Sequence, residues 1–249
     1  MNLKLILHPD YSLQYEKVLS LLLNFESNEQ YVTKGERNII KKATVGDKIL
    51  NIKKFKTPNF FQSLVYAYIR KSKAQRSFEY AKKLGELGIK TPAPVAYAVE
   101  NNGGLKLSFY VSEHLEYDLD FRVLNHNPLH PERDIILQQF ASFSFKLHEA
   151  GINFLDHSPG NTLIKKIAEG HYEFYLIDLN RMKFGTMDLE TRMHNLRRLW
   201  LSKKMIDVMA PVYGKLYDTS LENVHGLLTK YSKEFQGKVN RKKLRRRKR

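Results

Sequence analysis

The stretch from Leu147 to Arg181, LHEAGINFLDHSPGNTLIKKIAEGHYEFYLIDLNR, constrains the fold more than any other part of the chain. An apolar helical pattern closes at Gly151, and a polar loop then carries Asp156 and, five residues on, Asn161. The segment from Asn161 to Ile164 suits a short strand. The apolar run Phe174 to Ile177 suits a buried one, so Asp178 stands where a strand opens into a loop. An isolated Asp or Asn in such a loop is ordinary turn chemistry, because both side chains bond well to their own backbone. Two acids and an amide spread over a loop and the mouth of a later strand ask for more, since the fold must bring them to one place.

Phosphoryl transfer by the protein-kinase route uses this set: one carboxylate beside the attacking hydroxyl, and an Asn with a second carboxylate to hold Mg²⁺ on the phosphates. The Asp156-x4-Asn161 spacing matches the kinase catalytic loop, and Asp178-Leu179-Asn180 falls where D-F-G would be. Asp156 is therefore the expected catalytic carboxylate, with Asn161 and Asp178 the expected metal ligands. The fold that carries such a set is α+β and two-lobed, with an antiparallel sheet and a helix in the N-lobe and a mostly helical C-lobe.

Upstream, the text from Tyr31 alternates in β fashion through YVTKG, NIIKKATV and KILNIKKF, with turn signals at Gly35 and Gly46-Asp47. Residues Gly35 to Asn38 are the place for a phosphate-covering loop, although only one glycine is present. Neighbours on a strand face opposite sides. Aligning NIK with V-A-I-K makes Lys53 the phosphate-binding lysine and leaves Lys54 facing solvent. Thr57-Pro58-Asn59 opens one helical region, and KAQRSFEYAKKLGELG forms a second, ending at Gly85 or Gly88. Glu79 on that second helix is the expected ion-pair partner of Lys53. After a hairpin turn at Asn101 to Gly104, a buried strand from Leu107 to Val111 leads into Ser112-Glu113-His114-Leu115. Residues 113–116, with Glu113 and Leu115 as adenine contacts through backbone groups, are the expected hinge. That puts lobe boundaries at 1–116 and 117–237.

The segment PERDIILQQFASFSFKLHEAG carries the clearest helical stripe, Ile136, Phe140, Phe143 and Leu147. His148 near its end is expected to be structural, in a place that favours the charged imidazole. His157, beside the Asp, is placed either to hydrogen-bond the loop or to touch substrate. Past Arg181 the segments LETRMHNLRRLWLSKKMIDVM and SLENVHGLLTKYSKEF read as helices. With no A-P-E stretch and no long Ser/Thr-bearing activation segment, a regulated protein kinase is disfavoured against a compact phosphotransferase with a non-peptide acceptor. Arg181, Arg192, Arg197 and Arg198 are candidates to line an anionic acceptor site.

FLDHSPGNTLI followed by LIDLNR, with KAQRSFEYAKKLGELGIKTPAPVAY upstream, resembles the lipopolysaccharide core kinases of the Kdo/WaaP type, in their Bacteroidetes form. The resemblance runs over roughly residues 31–200. It implies a protein-kinase-like fold, ATP with Mg²⁺, and phosphorylation of an inner-core Kdo or heptose hydroxyl on a lipid-anchored glycan at the cytoplasmic membrane face. By position it assigns Asp156 as base, Asn161 and Asp178 as metal ligands, and Lys53 with Glu79 as the phosphate-anchoring pair. Phe154 and Leu155 replace the His and Arg that usually precede the catalytic Asp, and Asn180 replaces the Gly of D-F-G.

Charge bears on partners. Of the net +16, nine units lie in KVNRKKLRRRKR, residues 238–249, which carries no acid. Such a run is expected to be a disordered, solvated tail or a clamp for polyanions. An anionic membrane surface is the better partner, and nucleic acid the poorer one, because the tail has no aromatic residue for base stacking. The absence of Cys excludes disulfides and thiolate metal sites. The opening MNLKLILHPD lacks a signal-peptide core and no apolar run reaches transmembrane length, so a cytoplasmic protein, peripheral at the membrane, is expected. The competing expectations are a small-molecule or atypical protein kinase, such as the small kinase of the tRNA-modification complex, a pseudokinase scaffold, and a nucleic-acid-binding module driven by the tail.

Overall fold

Period-2 alternation and turn glycines build a six-stranded sheet in the first of two compact units. The computed structural model describes residues 2–28, 30–35 and 38–247, and the chain divides into Met1–Leu115 and Glu116–Arg249. In the first unit β1 (Lys4–Leu7) precedes α1 (Tyr15–Leu23), and β2 (Tyr31–Lys34), β3 (Asn38–Val45) and β4 (Lys48–Phe55) follow as a meander. Gly46, at φ 64°, takes the left-handed position of the β3–β4 turn. Next come α2 (Phe60–Leu64), extended by a π turn over Val65–Ile69, then α3 (Lys73–Glu86), β5 (Pro94–Asn101) and β6 (Leu105–Glu113). Asn59 caps α2 by accepting from Gln62 N–H at 3.0 Å, and Ser72 caps α3 by accepting from Gln75 N–H at 3.1 Å.

The strand order is β1-β5-β6-β4-β3-β2, antiparallel throughout. The first thirty residues, which carry no legible chemistry, complete this unit. β1 extends the sheet beyond β5, and Val18, Leu22 and Phe25 pack with Leu50, Ile52, Ala96, Ala98, Phe109 and Val111 in one core. Lys41 is fully buried there, its ammonium donating to Phe25 O at 2.8 Å and lying 4.5 Å from the Phe25 ring.

The second unit contains β7 (Leu119–Asp120), α4 (Phe121–His126), α5 (Arg133–Glu149), β8 (Ile152–Phe154), β9 (Thr162–Ala168), β10 (His171–Leu176), β11 (Met182–Phe184), α6 (Leu189–Leu196), α7 (Lys203–Tyr217) and α8 (Leu221–Arg247). Its core centres on α5: Ile136, Phe140, Phe174, Met205, Met209 and Tyr213 are buried together. The helical text after Asp188 is broken, because Trp200 adopts φ 58° between a short 3-10 turn and α7.

The tail expectation needs correction. The chain from Lys238 through Arg247 continues α8 as regular helix instead of forming a disordered tail. Lys and Arg are good helix formers, an existing helix removes the nucleation penalty, and cations suit a helix C-terminus. No helix among the described residues is long and apolar enough to cross a membrane.

Candidate active site

The register of β4 sets Lys53 opposite Ile40 on β3 and Tyr110 on β6, and Tyr110 in turn lies opposite Tyr97 on β5. Paired residues share a sheet face, so Lys53, Tyr110 and Tyr97 form one row. Phe78 of α3 packs on Tyr97 with ring centroids 5.4 Å apart, which identifies this as the α3-covered face. Lys54 lies in the opposite row with Phe109 and Ala98. It does not simply face solvent as expected: it is ion-paired with Glu26 and sits 5.6 Å from the Phe25 ring.

Glu79 is on the same side of the sheet as Lys53. Burial raises the Tyr97 hydroxyl, and the negative charge of Glu79 raises it further. The structure gives Glu79 a different partner from the expected one: Lys71 Nζ donates to its carboxylate at 2.8 and 2.9 Å, and Gln75 Nε2 at 3.0 Å. Lys71 directly precedes the Ser72 cap and folds back along the first two turns of α3, so this pair closes over a short stretch of chain.

At the expected hinge, Glu113 bridges Lys48 and the Tyr11 hydroxyl through its carboxylate. Burial pulls that carboxyl upward, but the bonds from Lys48 and Tyr11 outweigh it and leave it below the usual range. Glu113 N–H donates to Ala93 O at 2.8 Å and His114 N–H to Ile49 O at 2.7 Å. The Glu113 side chain is therefore structural. Leu115 is the first residue past this ladder. Near the expected phosphate cover, Gly35 N–H donates to Asn38 O at 3.1 Å. Glu36 and Arg37, which form the rest of that segment, lie outside the described residues.

In the second unit the β9–β10 hairpin does the positioning. Thr162 lies opposite Leu176, and the ladder continues with Ile177 N–H donating to Asn161 O at 3.0 Å. Asn161 and Asp178 therefore emerge side by side at the same end of the hairpin. The Asn161 side chain ties in the loop acid, since Nδ2 donates to Asp156 O at 2.8 Å. With its NH₂ so used, Oδ1 is the end that can act as a ligand. Asp178 adopts φ 58°, and Asn180 Nδ2 donates to its Oδ1 at 2.7 Å. Asp is among the few residues that tolerate this conformation, and Asn180, standing in place of glycine, braces it.

Past Asp178 the chain returns beside the loop. Leu155 N–H donates to Arg181 O at 2.9 Å, and β8 pairs with β11, Phe154 opposite Met182. One short ladder thus fixes the residues flanking both acids. The Asp156 carboxylate is held by Arg198 Nη2 at 2.7 Å, with Arg181 Nη1 at 3.8 Å. The other two candidate arginines serve elsewhere: Arg192 bonds Met187 O and Glu149 and sits 4.8 Å from the Tyr217 ring, while Arg197 donates to His194 O.

Both histidines are structural, as expected for His148, although its ring is not held in the charged form. His157 is fully buried with Nδ1 3.2 Å from Asn195 Oδ1, so it braces the loop and does not face a substrate. His148 is likewise buried, between Tyr213 and Asn195. Burial pushes His148 down to about 3 and His157 down to about 4, overriding the helix-terminus preference for a charged ring. Asn195 donates through Nδ2 to Phe154 O and Asn153 Oδ1, both at 2.8 Å, and so offers Oδ1 to both rings. It is a positioning residue that motif spacing misses. Its one sequence signal is an amide set among Met193, Leu196 and Leu199.

Oxygen donors such as Asn161 Oδ1 and the Asp178 carboxylate fit Mg²⁺, which takes one or two protein oxygens and completes its shell with phosphate oxygens and water. Among the described residues no group of three or more His, Cys, Asp or Glu could hold a metal by itself. The donor set is consistent with a cation that arrives on a nucleotide.

An antiparallel sheet packed by α3 on one face and α1 on the other, and a largely helical unit with a catalytic-type loop and hairpin, define a protein-kinase-like enzyme. The family model described as lipopolysaccharide kinase (Kdo/WaaP) matches residues 33–245, and the chain belongs to that family of kinases. ATP as phosphoryl donor follows from membership. Among solved structures, one described as WaaP in complex with acyl carrier protein is similar, with a TM-score of 0.64 and 18% identity over 94% of this chain and 98% of that one. At that identity the likeness concerns the fold. No curated protein matches the chain.

Proposed function

We propose that the chain transfers the γ-phosphate of ATP, bound with Mg²⁺, to a Kdo or heptose hydroxyl of the lipopolysaccharide inner core. The observation that carries this is the hairpin register, which brings Asn161 and Asp178 out together while Asn161 also holds the Asp156 backbone. When bound, Mg²⁺ would be ligated by Asn161 and Asp178 and would neutralise charge on the transferring phosphate. Lys53 would contact the α- and β-phosphates, with Glu79 orienting it once released from Lys71. Glu113 O and Leu115 N–H would meet the adenine. Asp156 would accept or orient the proton of the attacking hydroxyl, most of the acceleration coming from positioning and fixed charge.

Arg198 and Arg181 refine the acceptor. The Arg198 guanidinium occupies the carboxylate that would have to meet the attacking hydroxyl. An acceptor with its own anionic group would draw Arg198 away and leave the Asp156 carboxylate open to that hydroxyl. That favours an acidic sugar such as Kdo over a neutral heptose. The basic end of α8 would meet anionic lipid at the cytoplasmic membrane face, where such an acceptor is anchored. Mass spectrometry of the core glycan from cells lacking the gene tests the assignment. The expected result is loss of one phosphate from Kdo or heptose; an unchanged core would overturn it.

A further inference from the structure

Between β4 and α3 the chain forms a short amphipathic helix whose polar and apolar sides are reversed from the usual arrangement. It runs from Phe60 to Ile69 and closes on a π turn, Arg70 N–H donating to Val65 O at 2.7 Å. Its inner side seats on the β5–β6 hairpin: Ser63 is buried so close to Gly104 that a Cβ there would come within 2.5 Å of Ser63 Oγ. Tyr66 lies 6.0 Å from the Arg76 guanidinium. The outer side carries the large apolar residues, with Phe60 68%, Phe61 78%, Tyr68 75% and Ile69 83% exposed. Phe61, Val65, Tyr68 and Ile69 recur at helical spacing, so they form one stripe.

A contiguous apolar stripe of this size on a soluble surface marks a contact. Its border says with what. From Lys56 to Phe78 the chain has Lys56, Arg70, Lys71, Lys73 and Arg76 and not one acid. Lys56, Arg70 and Lys71 are exposed and Lys73 is half-buried, whereas Arg76 is buried and Lys71 also holds Glu79. An apolar tip of aromatic and aliphatic side chains with exposed cations at both ends of its segment and no acid suits the headgroup boundary of a bilayer, where rings sit among the acyl ends and cations meet phosphates.

We infer that the Phe60–Ile69 helix is a membrane anchor that inserts its Phe61/Tyr68/Ile69 stripe into the interface of an anionic bilayer. The inference goes beyond the acceptor assignment, since it rests on the helix itself and not on which sugar is phosphorylated. It also supplies what a polybasic segment lacks. Charge alone gives salt-sensitive adhesion, and stable peripheral binding takes an apolar element as well.

The test is co-sedimentation of the full chain with vesicles of phosphatidylethanolamine and phosphatidylglycerol, which requires no acceptor and no turnover. Wild type is expected to bind, and Phe61→Ser/Ile69→Ser to bind about tenfold or more weakly with an unchanged melting temperature, since both side chains are exposed. As a second readout, Phe61→Trp should gain a fluorescence component quenched by brominated lipid. Equal partition of the double variant and wild type, absence of that quenching, or wild-type binding to an acidic protein but not to vesicles would each overturn the inference. A failed acceptor assignment would leave the sedimentation result unaffected.

Discussion

At the scale of single residues, the two arginines on Asp156 separate this site from a simple catalytic loop. Arg198→Ala removes the 2.7 Å contact. If Arg198 passes to an anionic acceptor, the variant should raise KM for an acidic sugar by about tenfold or more, in line with about 1.5–3 kcal/mol for a charge-assisted bond, with a smaller effect on kcat. A fall in kcat with unchanged KM would contradict the exchange. Asp178→Asn keeps a residue that tolerates φ 58° but removes a charge from the proposed Mg²⁺ site. Wild type should gain ~5 °C in Tm from saturating ATP with Mg²⁺, and the variant should lose the Mg²⁺-dependent part. That Asp156, Asn161 and Asp178 lie near one another was legible, because kinase chemistry fixes their spacing and the hairpin and the Asn161 side chain do bring them together. The Glu79 partner was not, because Lys71 reaches it through local chain geometry that no motif encodes. Nor was the commitment of Glu113 to Lys48 and Tyr11, which depends on how β1, α1 and β4 come together.

At the scale of elements, the short β8–β11 ladder holds both acids in place and can be attacked without touching either. Gly151 has φ 67°, and a Cβ there would lie 2.9 Å from Gly185 O. Gly151→Ala should cost about 1–2 kcal/mol from the backbone alone, lower Tm by ~4 °C or more and depress kcat; an unchanged melt would show the ladder to be dispensable. The two buried histidines joined by Asn195 of α6, one on α5 and one in the loop after β8, carry a pH signature. His148 and His157 are neutral in the fold, with pKa values depressed to about 3 and about 4, whereas unfolded chains bind protons near 6.5. The unfolded state therefore binds more protons below that value. Stability is full above about 6.5 and falls as pH drops toward 4, by up to about 1.4 kcal/mol per pH unit for each ring. Urea melts across this range should show the slope, and His157→Asn should reduce it; a flat profile in wild type would contradict the burial account. The long helix α5 and the meander followed from periodicity and the strand leading to Asp178 from an apolar run; the pairing of that strand with β9 as a hairpin was not read from sequence. Nor was the helical continuation of α8, since a charge run looks the same whether it extends an existing helix or hangs free.

At the scale of the whole molecule, the net charge of +16 has two addresses in the fold, the exposed cations along the end of α8 and those around the α2 helix. Composition pointed to a polyanionic partner and helical spacing to an apolar stripe after Asn59, but only the structure revealed that the stripe faces outward, because an exposed Phe and a core Phe are identical in sequence. The chain belongs to a family of lipopolysaccharide kinases, and the proposal built on that membership and on the hairpin geometry is that it moves phosphate from ATP to a sugar hydroxyl with Asp156 beside it. The most direct test is to incubate the purified chain with γ-labelled ATP, Mg²⁺ and a phosphate-free lipopolysaccharide precursor, beside the Asp156→Asn variant. The account predicts label on the glycan with wild type, and a turnover about 10²–10⁴ times lower in the variant at unchanged nucleotide affinity. Label transfer by the variant at the wild-type rate, or none by wild type, would contradict it.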